Sequence, residues 1–132
     1  MKPHRLLAPL LALSALASCA QTPPVAPAEA ESQRLGRELR GLIGPAACSA
    51  DSQCRTVAVG AKACGGPAGY AAWSTQGTDA QQLAELARRQ AQAQRREIEA
   101  SGMLSNCALV VDPGAACVAG RCELATRQGG AR

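Results

Sequence analysis

Apolar and polar residues recur along this chain with several different periods, and each period predicts a different element. Leu6 to Leu16 is apolar throughout except for Ser14. That run is about 11 residues, short of the roughly 20 that a membrane-spanning helix needs. Between Glu31 and Ile43 the period changes: Leu35, Leu39, Leu42 and Ile43 fall at i, i+4, i+7 and i+8, with Arg34, Arg37 and Arg40 pointing elsewhere. This is one apolar helix face, and Gly44-Pro45 ends it. A second, longer helix is predicted over Thr78 to Ala100. Leu83, Leu86, Ala87, Ala91 and Ile98 share one side, and Arg88, Arg89, Arg95 and Arg96 the other. Thr78-x-x-Gln81 reads as its capping box and Gly102 as its stop.

The remaining segments suit strands and turns. Arg55 to Val59 carries β-branched residues and ends at Gly60, so it reads as a strand. Gly65-Gly66-Pro67 reads as a turn. Ala108 to Val111 suits a buried strand, and Asp112-Pro113-Gly114 a turn after it. Ala116-Cys117-Val118 and Cys122-Glu123-Leu124, on either side of Ala119-Gly120-Arg121, resemble a tight hairpin. Strand, helix, strand and hairpin make a βαββ-like order. The fold class expected is α+β: a small domain with one long amphipathic helix and a small antiparallel sheet.

The chain start adds an address. Lys2, His4 and Arg5 precede the apolar run, and Leu16-Ala17-Ser18-Cys19 follows it. A basic region, a short apolar region and small residues form a secretory leader. The last four residues resemble the lipobox of bacterial lipoproteins. That resemblance implies cleavage after Ser18, a diacylglyceryl group on the Cys19 thiol and acylation of the new amine. Ala20, rather than aspartate, implies the outer membrane, with the protein facing the periplasm. The expected division is 1–18 leader, 19–30 lipidated cysteine and Pro/Ala-rich tether, 31–45 amphipathic helix, 46–125 cysteine-rich domain, and 126–132 loose tail. The helix at 31–45 is expected to pack on the domain; its arginines beside a lipid anchor keep membrane binding as the rival reading.

Composition decides what must hold such a domain together. The chain has no phenylalanine, one tyrosine and one tryptophan, so its core is built mainly from Ala, Val and Leu. Small side chains bury little area each. Seven cysteines are present. If Cys19 carries lipid, six remain: Cys48, Cys54, Cys64, Cys107, Cys117 and Cys122. In an exported small domain these read as three disulfides, tying the segment before the long helix to the segment after it. The pairing stays open among 15 choices. Zinc is the rival, because Cys117-x₄-Cys122 has ligand-like spacing. Against it stand the lack of a C-x₂-C pair and of any histidine besides His4. No cofactor is expected.

Candidate chemistry is sparse. With His4 in the leader, a Ser-His-Asp or Cys-His site lacks its base. Lys62 is the only lysine outside the leader, so a serine–lysine pair would have to use it. Asp51, Asp79 and Asp112 are scattered, and no pair of acids stands out for glycoside hydrolysis. Outside the leader the charge is near balance and the helix face mixes signs, so no nucleic-acid partner is expected. Tyr70 and Trp73 are read as core pieces packed on the disulfides, with an exposed binding patch as the alternative.

From Cys48 onward, C-x₂-D-x-Q-C, C-G-G-P-x₂-Y and C-x₉-C-x₂-G-R-C resemble a group of small cysteine-rich exported proteins of proteobacteria. The resemblance covers residues 47–124 and implies the domain boundary and the disulfides, but no activity. The function expected is therefore a membrane-anchored, non-enzymatic binding or structural module of the cell envelope, held by its lipid and with an envelope protein as partner. The alternatives are a protease inhibitor presenting Gly65 to Tyr70, and an enzyme using Lys62 or carboxylates.

Overall fold

The structure, a computed structural model, describes residues 28–125. The leader, the lipobox with Cys19, the tether up to residue 27 and the tail at 126–132 lie outside the described residues. The domain is an α+β fold stapled by three disulfides. Its elements are α1 (Glu31–Ile43), a 3₁₀ turn (Asp51–Gln53), β1 (Cys54–Val59), β2 (Gly69–Ser74), α2 (Ala80–Ser101), β3 (Ala115–Val118) and β4 (Arg121–Leu124).

The strands form two antiparallel hairpins, β1–β2 and β3–β4. In the first, Cys54 faces Ser74, Thr56 faces Ala72 and Ala58 faces Tyr70, while Arg55, Val57 and Val59 face Trp73, Ala71 and Gly69. Side chains alternate across a strand, so these two sets lie on opposite faces. The Trp73 face carries the helices: Leu39, Trp73, Leu83 and Ala87 form one buried cluster, with Leu42, Ile43, Val57, Val59 and Leu86 packed around it. The Cys54 face meets the second hairpin: Ala46, Cys54 and Cys122 form another buried cluster, bordered by Ala72, Ala115, Cys48 and Cys117. The result is three layers, with β1–β2 in the middle.

Strand β2 was not expected. GYAAWS has two small alanines, a glycine and no β-branched residue, so propensity is weak; pairing with β1 decides it. Trp73 accordingly packs between the helices and not on the disulfides, where Ala72 takes its place. The helix α2 also differs from expectation at its start. Asp79, not Thr78, caps it, its Oδ1 accepting from the Gln82 amide at 2.7 Å. Thr78 Oγ1 instead donates to Leu42 O. Gly102 ends the helix in the left-handed region, as its position suggested.

Helix α1 packs along α2, with Leu35 and Leu39 buried. Its apolar face is thus covered by the domain. Gly36 lies at the crossing, where an added Cβ would sit 3.1 Å from Gln90 Nε2. No described helix is long and apolar enough to cross a membrane.

The β3–β4 turn, Ala119-Gly120, has φ of 49° and 80°. Positive φ at both positions matches a two-residue type I′ turn, whose twist suits a hairpin. A short bridge extends this hairpin: Cys122 N donates to Ala46 O at 2.8 Å and Cys48 N to Gly120 O at 3.0 Å.

Candidate functional site

The six cysteines pair as Cys48–Cys117, Cys54–Cys122 and Cys64–Cys107, with Cα separations of 5.9, 5.4 and 5.3 Å. Each joins the block before α2 to the block after it. The first two lie side by side, because Cys117 and Cys122 are directly opposite in the β3–β4 register. The Sγ atoms of Cys48, Cys54 and Cys122 consequently lie within 4.8 Å of one another. These sulfurs are in disulfides and have no thiolate to offer a metal ion. The spacing Cys117-x₄-Cys122 reflects hairpin geometry here. Cys54 and Cys122 are buried, whereas Cys64 and Cys107 are exposed.

Tyr70 and Trp73 do not share a patch. They stand on opposite faces of β2, with Trp73 buried and Tyr70 half-buried. Nor is Gly65 to Tyr70 one presented loop. Gly65 and Gly66 lie in an exposed turn closed by Gly65 N to Lys62 O at 3.0 Å, but Gly69 and Tyr70 belong to β2.

Polar side chains on the inner side of α2 tie the layers together. Gln90 Oε1 accepts the Gly60 amide at 3.0 Å, and Gln94 Oε1 the Ala61 amide at 2.9 Å. They satisfy backbone donors just past the end of β1, where no strand partner remains. Gly60 is required there: its φ is 69°, and a Cβ would lie 2.5 Å from Gln94 Oε1 and 2.9 Å from the Ala68 Cβ. One turn further, Glu97 does the same for α1. Ala30, at the N-cap of α1, makes no side-chain cap. The Glu97 carboxylate instead accepts the Ser32 amide at 2.9 Å and the Ser32 hydroxyl at 2.5 Å. A carboxylate at a helix N-terminus satisfies orphan amides and meets the positive end of the helix dipole. The Ser32 hydroxyl and amide, with Arg96 nearby, hold the Glu97 carboxyl below its usual pKa. Sequence reasoning did not single out Gln90 and Gln94, which are partners of the backbone. Their signal was position: they follow Leu83 and Ala87 at helical spacing.

The segment expected as a buried strand, Ala108 to Val111, is an exposed loop. Leu109 is 87% exposed and Val111 49%. Four apolar residues in a row are compatible with a strand only where a free edge waits for them. Cys107 is bonded to Cys64, in the turn beyond the end of β1, and the segment pairs with neither hairpin. Upstream, Met103 is 63% and Leu104 91% exposed. The loop from Gly102 to Gly114 is nonetheless pinned. The Cys64–Cys107 bridge holds its middle. Lys62 Nζ donates to Ala108 O and reaches Asn106 Oδ1 at 3.4 Å, and Asn106 Oδ1 accepts the Ala108 amide at 3.2 Å. At its far end Asp112 accepts from Thr56 Oγ1 at 2.6 Å and from the Gly114 amide at 2.8 Å, which lowers the Asp112 pKa. This pinned apolar loop is the candidate functional surface.

The other candidates have structural partners. Lys62 is occupied by the loop carbonyl and Asn106. Asp51 accepts the Cys117 amide at 2.8 Å, and Asp79 caps α2. Asp51, Asp79 and Asp112 serve three separate turns or termini and are not brought together. Glu85 pairs with Arg88 at 2.6 Å on the exposed side of α2, and Glu31 with Arg96 at 3.1 Å.

No protein family matches the chain, nor does any curated protein or solved structure.

Proposed function

We propose that this chain is a lipoprotein of the bacterial cell envelope, anchored through Cys19, whose domain serves as a non-enzymatic binding module at the membrane surface. One observation carries the reading. Six of the seven cysteines are consumed in three bridges, which leaves Cys19 as the odd one. An odd cysteine in an oxidising compartment needs a fate other than an internal bridge. Lipidation supplies that fate, and Cys19 stands directly after Leu16-Ala17-Ser18 at the end of an apolar leader. Two or three acyl chains on one residue hold a protein on a bilayer almost permanently. The binding role is supported by the exposed apolar loop, since a soluble surface gains nothing from presenting Leu104 and Leu109 to water.

Mass spectrometry of the protein purified from membranes tests the anchor. The expected mature N-terminus is Cys19 carrying diacylglyceryl mass, and Cys19→Ser yields an unacylated chain that leaves the membrane fraction while keeping its three disulfides. A membrane-free wild type with an unmodified Cys19 thiol overturns the proposal.

A further inference from the structure

We infer that the loop from Met103 to Leu109 docks into the surface of the bilayer that holds the lipid anchor, so that the domain lies against the membrane rather than swinging from its tether. This rests on the lipoprotein reading above and adds an orientation and a second contact to it.

The placement follows from helix pairing. The start of α1 is fastened to the end of α2, Ser32 to Glu97 and Glu31 to Arg96. The chain therefore enters the domain at the pole where α2 finishes. From Glu97 to Ser101 the helix advances about 6 Å, at roughly 1.5 Å per residue. Met103 and Leu104 follow immediately, at 63% and 91% exposure. Leu109 joins them because the Cys64–Cys107 bridge folds the loop back over the turn at Lys62 to Gly66. The chain from Cys19 to Ala28 reaches at most about 30 Å even when fully extended. The apolar loop thus shares the end of the domain that a lipid on Cys19 would hold nearest the bilayer.

The chemistry suits a lipid surface better than water. Three large apolar side chains stand on a loop whose backbone is already fixed by a disulfide and by Lys62, so docking orders little that is free. Tethering also removes most of the cost of encounter, so that weak insertion is enough. Withdrawing two leucines from water favours the docked state by roughly tenfold or more.

The lipidated protein in phosphatidylethanolamine/phosphatidylglycerol vesicles tests this. Tryptophan is placed at the exposed positions, Leu104→Trp and Leu109→Trp, and each variant is checked for three intact disulfides. Lipids brominated on the acyl chain then act as contact quenchers. The added tryptophans are expected to be quenched, while Trp73, buried between β2 and the helices, is not. In a second arm, Leu104→Asp with Leu109→Asp is expected to raise the rate of domain cleavage by an added protease about tenfold on vesicles, matching the lost docking, with no change in detergent. If the variants float with the vesicles yet remain unquenched, the docking is overturned and the anchor stands. If no acyl mass is found and nothing floats, both fall. Blue-shifted emission that depends on protein concentration and not on brominated lipid assigns the loop to a second copy. Saturable inhibition of a chymotrypsin-like protease that Leu109→Trp alters assigns it to a protease cleft. Either result overturns the membrane assignment.

Discussion

The β1–β2 hairpin is held from its two faces by different physics. On one face Trp73, Val57 and Val59 meet Leu39, Leu83 and Ala87, and the contact is apolar burial between large side chains. On the other face Cys54 and Ala72 meet Ala46, Ala115 and Cys122, and apart from Ile43 at the border the residues are small. Alanine and half-cystine contribute little area, so burial alone would leave the second hairpin weakly attached. Two disulfides close together compensate for the missing side-chain volume. The comparison shows how a chain without phenylalanine spends its one tryptophan: it strengthens the layer that can be packed and staples the layer that cannot.

The largest test of that contrast removes the staple. Cys54→Ala with Cys122→Ala is expected to cost about 2–5 kcal/mol and to free the β3–β4 hairpin before the helical layer, seen as loss of amide protection in residues 115–124 first. Graded reduction sharpens the same point. The exposed Cys64–Cys107 bridge is expected to open at the lowest reductant, with the tryptophan signal unchanged, and the buried Cys54–Cys122 bridge last, together with unfolding. Opening in the reverse order would contradict the assignment of cohesion to the buried pair. Thiol trapping and mass analysis at each step give the order.

Next in size, Trp73→Ala is expected to destabilise by about 3–5 kcal/mol, read by denaturant unfolding, because Trp73 fills the space between β2 and both helices. Tyr70→Ala, on the other face and half-buried, is expected to cost clearly less. Equal costs would mean that the two faces of β2 are packed alike.

The smallest effect concerns the contact between α1 and α2. Glu97→Gln weakens the cap on the Ser32 amide and is expected to cost about 0.5–1 kcal/mol, the low end for a lost cap because the contact is partly exposed. Its sign with pH is definite. The folded state lowers the Glu97 pKa, so the contribution is present above the unfolded value of about 4.3 and is lost as pH falls through the lowered value. Wild type and Glu97→Gln are therefore expected to converge in stability at low pH and to separate near neutrality, in thermal unfolding followed by circular dichroism.

Both helices were legible from apolar spacing, since Leu35, Leu39, Leu83 and Ala87 repeat at helical period and each helix ends at a glycine. The tight hairpin near the end of the chain was legible too, although Arg121 read as part of its turn and belongs to β4, as was the division of the cysteines into two blocks joined across α2. Other features depended on contacts distant in sequence. Strand β2 exists because β1 offers it an edge, and GYAAWS carries no strong preference of its own. Ala108 to Val111 has strand composition but pairs with no strand; its neighbour Cys107 is bonded to Cys64 beyond the end of β1. The pinned loop that forms the candidate surface was hidden in part by the same fact: Ala108 to Val111 read as core, although Leu109 and Val111 are exposed.

By itself, the order of residues determined the local periods, the stops at Gly44 and Gly102, the scarcity of large side chains for a core, and an odd number of cysteines. Tertiary structure alone decided which cysteines meet, which face of β2 receives Trp73, and that Glu97 caps a helix 65 residues away. The reason is physical. Helical and turn preferences act over a few residues and are written locally, whereas pairing, capping in trans and burial depend on which surfaces remain free once the layers have closed.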